Sequence, residues 1–194
     1  MLLRNIKNLF LGHYEYLPAF KKRFASFGSS SCIQHPSIIS EHQYILIGNN
    51  TSILSGARIQ VFNALTDKNS KVKIGDNCYF CYNLSILAGG NITIGDNVLI
   101  ASNVFITSQN HGINPECDIP YMNQPLVCKD VVIGDGCWIG EKASILPGVT
   151  IGKKCVIGTN AVVTKDIPDY SMAAGIPAKV IKRYCFERHE WVKV

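Results

Sequence analysis

The chain predicts an all-β solenoid, a parallel β-helix built from six-residue units. Twelve hexads carry an aliphatic or aromatic residue at position one, from Ile74, Phe80 and Ile86 through Ile94, Ile100 and Ile106 to the unbroken run Ile133–Val163. Glycine follows that residue repeatedly, at Gly75, Gly95, Gly134 and Gly152. The pattern stops once, just after Asn110-His111-Gly112, and then resumes. A short period repeated at fixed spacing belongs to stacked solenoids, in which no single unit buries its own apolar face.

Each hexad reads as a short strand plus a turn, with its first residue pointing inward. The IG-x-x-C sequence returns from Ile133 to Ile151. Three hexads therefore close one triangular coil, and coils stack at about 4.8 Å. Glycine at position two suits corners where a Cβ would crowd the backbone. A weaker set of hexads begins at Ile47, and the misfit at 65–72 and the two-residue slip between Ile92 and Ile94 are expected to be corner loops.

At 194 residues, 47% hydrophobic and 17% charged, the chain is globular rather than disordered. The segments divide as 1–30, a basic amphipathic N-terminus; 31–168, the solenoid with a loop at 112–126; and 169–194, a tail with a short helix. No apolar run approaches the length of a membrane-spanning helix, and the opening MLLRNIKNLFLG is too interrupted for an export signal. A cytoplasmic address follows. Of the net charge of +5, residues 1–30 carry +4. That is too local for a nucleic-acid face. It fits either a helix packed on the domain end or one lying peripherally on an anionic membrane surface.

Eight cysteines suggest disulfides until their positions are read. Cys78, Cys137 and Cys155 occupy the same hexad slot as Ala143 and Ala161, so small buried packing explains them. Cys78-Tyr-Phe-Cys81 has no second pair to complete a metal site.

Three stretches carry a resemblance. "VVIGDGCWIGEKASILPGVTIGKKCVIGTNAVVTKDIPDYSMAAGIPAKVIKRY", "IGDNVLIASNVFITSQNHG" and the tail "AKVIKRYCFERHEWVKV" resemble the hexapeptide-repeat acyltransferases. The chain is closest in pattern to the galactoside/maltose acetyltransferase-like O-acetyltransferases of bacterial O-antigen and capsule synthesis. The resemblance implies a left-handed β-helix, a homotrimer with active sites between neighbouring subunits, and acetyl-CoA as donor, with no metal. It places the general base on His111 and the cleft-lining tryptophan on Trp138. Coenzyme A contacts fall on Gly140, Thr159, Thr164, Lys165, Lys179 and Lys182; relatives often have arginine at the last two. The acceptor-binding asparagine of the galactoside type falls on Cys81, and the nearest asparagine is Asn83. That departure argues against copying a mono- or disaccharide pose. Asn110 and Tyr121 complete the candidate acceptor set, with Tyr121 offering a stacking face.

The chemistry is consistent with these residues. An alcohol is a poor nucleophile at neutral pH, and histidine is the side chain best suited to take its proton. His111 would accept the hydroxyl proton as the oxygen attacks the thioester carbonyl. It would then return that proton to the departing thiolate. A glycine corner would present a backbone N–H to the oxyanion. Glu116 or Asp118 would orient the ring, and the loop, stiffened by Pro115, Pro120 and Pro125, would wall in the site. The remaining histidines, His13, His35, His42 and His189, read as structural or incidental. Amino-sugar or xenobiotic N-acetylation makes the same demands on the base and stays open. A γ-type carbonic anhydrase would need three zinc-binding histidines, and one lies within the repeat. A bare scaffold would have no use for the looped-out histidine.

Overall fold

The computed structural model describes residues 18–66 and 68–194. They wind into a three-sided prism whose faces are three parallel sheets. The first sheet stacks Ser26–Phe27, Ile45–Ile47, Val72–Ile74, Ile92–Ile94, Val131–Ile133 and Thr150–Ile151. The second runs from Cys32–Ile33 through Ser52–Ile53, Tyr79–Phe80, Leu99–Ile100 and Trp138–Ile139 to Val156–Ile157. The third runs from Ile38–Ile39 through Arg58–Val61, Ser85–Ala88, Phe105–Thr107 and Ser144–Ile145 to Val162–Val163.

Position one of every hexad is buried. Ile47, Ile74, Ile94, Ile133 and Ile151 form one interior column, paired in register. Phe80, Ile100, Ile139 and Ile157 form the second, and Ile86, Ile106, Ile145 and Val163 the third. Cys78, Cys137, Cys155, Ala143 and Ala161 fill the corners between columns, all buried. The Cys78 thiol donates to Gly95 O at 3.2 Å, and burial pushes its pKa up, so it stays a protonated packing group.

Two of the three edges are uniform. From first sheet to second, and from second to third, consecutive inward residues are always six apart, as in Ile74, Phe80, Ile86 and Ile94, Ile100, Ile106. All variation in coil length leaves at the third-to-first edge. Ile133 and Ile151 are register partners 18 residues apart, Ile74 and Ile94 are 20 apart, Ile47 and Ile74 are 27, and Ile94 and Ile133 are 39. The misfit at 65–72 is one of these excursions. The slip expected between Ile92 and Ile94 lies elsewhere: both belong to one strand, and the extra residues are taken up at the Gly89-Gly90-Asn91 corner.

The corners have their own chemistry. Position four of the hexad adopts a left-handed backbone, at Asn50, Asn77, Asn97, Asn83, Asn103 and Asn160, the conformation asparagine tolerates best among residues with a side chain. Aspartate at position three receives the backbone N–H of the coil before it: Asp76 N–H reaches Asp96 Oδ1 at 2.7 Å, and Asp96 N–H reaches Asp135 Oδ1 at 2.8 Å. Position two is glycine because the next coil passes so close. A Cβ on Gly75 would lie 2.2 Å from Asp96 Oδ1 and 2.6 Å from the Gly95 carbonyl carbon.

The ends close differently. At the start, the helix Pro18–Lys21 sets Phe20 and Phe24 edge-on to the buried His42, at 5.9 and 4.9 Å between ring centroids. At the finish, the expected C-terminal helix is absent from the described residues. Ser171–Gly175, Ala178–Cys185 and Glu190–Lys193 instead form an antiparallel ribbon that extends the second sheet. Val180, Ile181 and Tyr184 favour strand over helix, and Ala178 and Val180 pack on the core. The expected membrane-facing segment rests mainly on residues 1–17, which lie outside the described residues. Among the described residues no helix is long and apolar enough to cross a membrane.

Gly75→Ala is expected to cost about 1–3 kcal/mol, because backbone and a carboxylate must shift to admit one methyl group; denaturant unfolding measures it. Burial, and secondarily Arg23, lowers the pKa of His42. The unfolded chain therefore takes up a proton near 6.5 that the folded chain resists, and stability present above that pH is lost as pH falls toward the lowered value. His42→Leu should narrow the difference in Tm between pH 7.5 and pH 5.5.

Candidate active site

His111 sits at the variable edge, where the 39-residue coil leaves the prism. The excursion runs from 108 to 130, wider than the 112–126 expected from sequence, because its neck is a hydrogen-bonded pair of short strands. Gln109–Asn110 pairs antiparallel with Val127–Cys128. Three residues fasten the neck. The Thr107 hydroxyl donates to Gln109 O at 2.9 Å and accepts its N–H at 3.2 Å. Ser108, fully buried, donates its hydroxyl to Gly90 O at 2.8 Å. Asp130 takes the backbone N–H and the side-chain amide of Asn91, at 2.8 and 3.0 Å.

Beyond the neck the loop is built around Gln124, buried in an otherwise exposed segment. Its Oε1 accepts Asn114 N–H, and its Nε2 donates to Asn114 O and Ile119 O, each at 3.0 Å. Gly112 N–H closes the base onto Pro125 O at 3.0 Å. A Cβ on Gly112 would meet Gln124 Cβ at 2.9 Å, so the glycine after the histidine is a packing requirement of the loop. Neither Gln124 nor the neck residues stand out in the sequence, because one buried amide inside a polar segment leaves no periodic trace.

The His111 side chain is exposed and has no hydrogen-bond partner among the described residues. It faces two adjoining depressions. One, about 250 Å³, is lined by Leu87, Phe105, Thr107, Gln109, Leu126 and Leu146; the other, about 300 Å³, by Asn110, Ile113 and Val127. Apolar walls around one titratable group suit a reaction that excludes water. Glu116 and Asp118 do not hydrogen-bond the imidazole. The Glu116 N–H instead turns back to Asn114 Oδ1 at 3.0 Å, and Asp118 lines a separate depression inside the loop together with Tyr121.

The other candidate residues gather on a different part of the surface. Along the outer face of the second sheet, strand register stacks Tyr79, Leu99, Trp138, Val156, Met172 and then Lys182 in one column. Tyr79 and Trp138 are about half exposed. Beside it, Gly140, Gly158, Ala174 and Lys179 follow one another along the second-to-third edge. A Cβ on Gly140 would meet Gly158, one on Gly158 would meet Ala174, and Ala174 pairs with Lys179. Trp138 and Lys182 are three strand spacings apart, roughly 14 Å. This column and the edge beside it run from an exposed indole to two lysines, which can partner an anionic group. Thr159 lies on the same edge, exposed. Thr164 and Lys165 are exposed on the variable edge, in the last coil above His111. Cys81 and Asn83 lie at the second-to-third edge, where Asn83 takes a left-handed backbone and donates to Asn103 Oδ1 at 3.2 Å. Within one chain, then, the structure joins Trp138, Gly140, Lys179 and Lys182 and sets His111 apart from them.

The family description "Bacterial transferase hexapeptide (six repeats)" matches residues 130–165, and "Hexapeptide repeat of succinyl-transferase" matches 71–108. WbbJ of Escherichia coli, a candidate lipopolysaccharide biosynthesis O-acetyl transferase, is 36% identical over 167 residues, covering 83% of each chain. The chain belongs to the hexapeptide-repeat acyltransferase family. A candidate acetyltransferase of Saccharomyces cerevisiae is 46% identical over 117 residues, 60% of this chain and 58% of that one. This chain thus spans under two thirds of the yeast relative and more of the bacterial one. The N-acyltransferase AntD of Bacillus cereus, solved with dTDP and coenzyme A, superposes with a TM-score of 0.74 at 23% identity, over 89% of this chain and 92% of that one. The fold is the left-handed parallel β-helix. A hexapeptide-repeat acetyltransferase of Vibrio cholerae, solved with acetyl coenzyme A, superposes at 0.57 with 26% identity, over 84% of this chain and 73% of that one.

Gln124→Ala should open the loop without unfolding the prism. Limited proteolysis is expected to cleave within 112–126 about tenfold faster or more, while Tm moves by only a few degrees.

Proposed function

We propose that the chain is an acetyl-CoA-dependent acetyltransferase that transfers the acetyl group to a saccharide hydroxyl during the synthesis of lipopolysaccharide O-antigen or capsule. The observation that carries this reading is the placement of His111: an exposed imidazole at the neck of the longest excursion, facing an apolar cleft. WbbJ supports the acceptor class, since its name places it in lipopolysaccharide biosynthesis and it matches most of this chain.

His111 takes the proton of the attacking hydroxyl and returns it to the leaving thiolate. The new C–O ester bond forms as the C–S bond breaks, and no proton is gained or lost overall. Coenzyme A supplies the thioester. Lys179 and Lys182 hold its anionic end, Gly140 lets the arm approach the backbone, and Trp138 covers it. Because these residues and His111 occupy different edges of one prism, the site is assembled between copies, as a homotrimer provides. The two groups then act by holding donor and acceptor together.

Thiol release from acetyl-CoA, measured across a panel of sugars and lipid-linked oligosaccharides, tests the reading. His111→Ala is expected to lower kcat by about 10² or more while the assembly keeps its size. Near-wild-type turnover in that variant would sink the general-base mechanism.

A further inference from the structure

The variable edge carries a second, larger depression that the reaction above does not use. It is about 670 Å³ and lies between two stacked excursions. The lower, around the turn His42–Tyr44, contributes Glu41, Gln43 and Tyr44. The upper, at 62–70, contributes Ala64, Lys68 and Asn69. Both lie on the same edge as the His111 neck, and the third sheet fixes their order: Ile38–Ile39, Arg58–Val61, Ser85–Ala88, Phe105–Thr107. The depression is therefore two to three strand spacings below the neck, roughly 10–14 Å.

The intervening corner is Gly89-Gly90, both buried beneath Gln109, Cys128 and Asp130 of the neck. Lys68 spans it, its Nζ donating to Cys128 O in the neck at 3.4 Å. The two depressions thus lie in line along one edge, with the Lys68 side chain crossing between them.

Two buried side-chain oxygens without a partner mark this edge, Glu41 Oε2 and Gln109 Oε1. One belongs to a residue lining the lower depression and the other to a residue lining the His111 cleft. Glu41 is held in place by its other oxygen, which accepts Ala64 N–H at 3.2 Å, on a backbone that is itself left-handed. An acceptor left unpaired in a buried position is costly.

We propose that this depression is an extended acceptor subsite. It holds the sugars of an oligosaccharide or polymeric acceptor that lie beyond the one being acetylated; the proposal rests on the saccharide acetyltransferase reading above. The lining suits the task. Glu41 and the amides of Gln43 and Asn69 are the groups that bond hydroxyls, and Tyr44 offers an aromatic wall for the apolar face of a pyranose. The span from the neck exceeds one sugar ring, so a monosaccharide acceptor cannot reach both ends.

The test compares kcat/KM for two acceptors of the same sugar, a methyl glycoside and a tetrasaccharide, in the wild type, Gln43→Ala and Ala64→Trp. Ala64 is exposed at the rim, so the indole fills the depression without entering the core; unchanged Tm confirms folding. The ratio of tetrasaccharide to glycoside efficiency is expected to fall about tenfold in Ala64→Trp, equivalent to the loss of one or two hydrogen bonds, and less in Gln43→Ala. An unchanged ratio in both variants, with an active wild type, overturns the subsite alone. A wild type inactive on both acceptors and on the wider panel overturns the acetyltransferase reading and the subsite with it.

Discussion

Coil-on-coil register is the constraint on which everything else rests. Every inward aliphatic residue must lie over its counterpart in the next coil, because each coil buries its apolar face only against its neighbours. Two edges of the prism obey a strict count of six, and glycine at position two lets successive backbones approach within contact distance. Any residue beyond the count must leave the prism, and all such residues leave at one edge. The excursions among the described residues therefore stack on each other, with His111 among them.

That arrangement divides the chemistry. The variable edge offers shape, since its loops differ in length and enclose depressions. The face of the second sheet and its neighbouring edge offer repetition, and there strand register carries one column from Trp138 to Lys182, with a bulge between Met172 and Ala173. Under the proposed function a long cofactor would take the repetitive surface and an acceptor of particular shape the irregular one, so that a single chain would carry two half-sites.

The fold was legible in the sequence because its signal is local and periodic: Ile74, Phe80 and Ile86 show their burial by their spacing. His111 stands out as a candidate for the opposite reason, as the residue beside the longest break in that spacing. The rest left weaker traces. Gln124 orders the loop through three hydrogen bonds, yet a single glutamine in a polar segment carries no pattern. The asparagines at position four were visible but unread; their left-handed backbones account for Asn83 at its corner. Residues 178–185 form a strand where a helix is expected: their burial alternates with period two, and pairing with Ser171–Gly175 decides the outcome. Trp138 and His111 read from the sequence as parts of a site between neighbouring subunits, and within one chain they lie on different parts of the prism.

The ribbon has one more consequence. A solenoid of parallel coils ends in open strand edges, and an exposed edge of this kind templates head-to-tail growth into fibres. Here the second sheet does not stop at its last coil. It turns back on itself twice, and its final strand, Glu190–Lys193, presents a short charged border beside the Tyr184, Phe186 and Trp191 rings. At the opposite end, Phe20, Phe24 and His42 close the first coil. The ribbon thereby leaves the last coil strand of the second sheet paired rather than open as a template for a further copy.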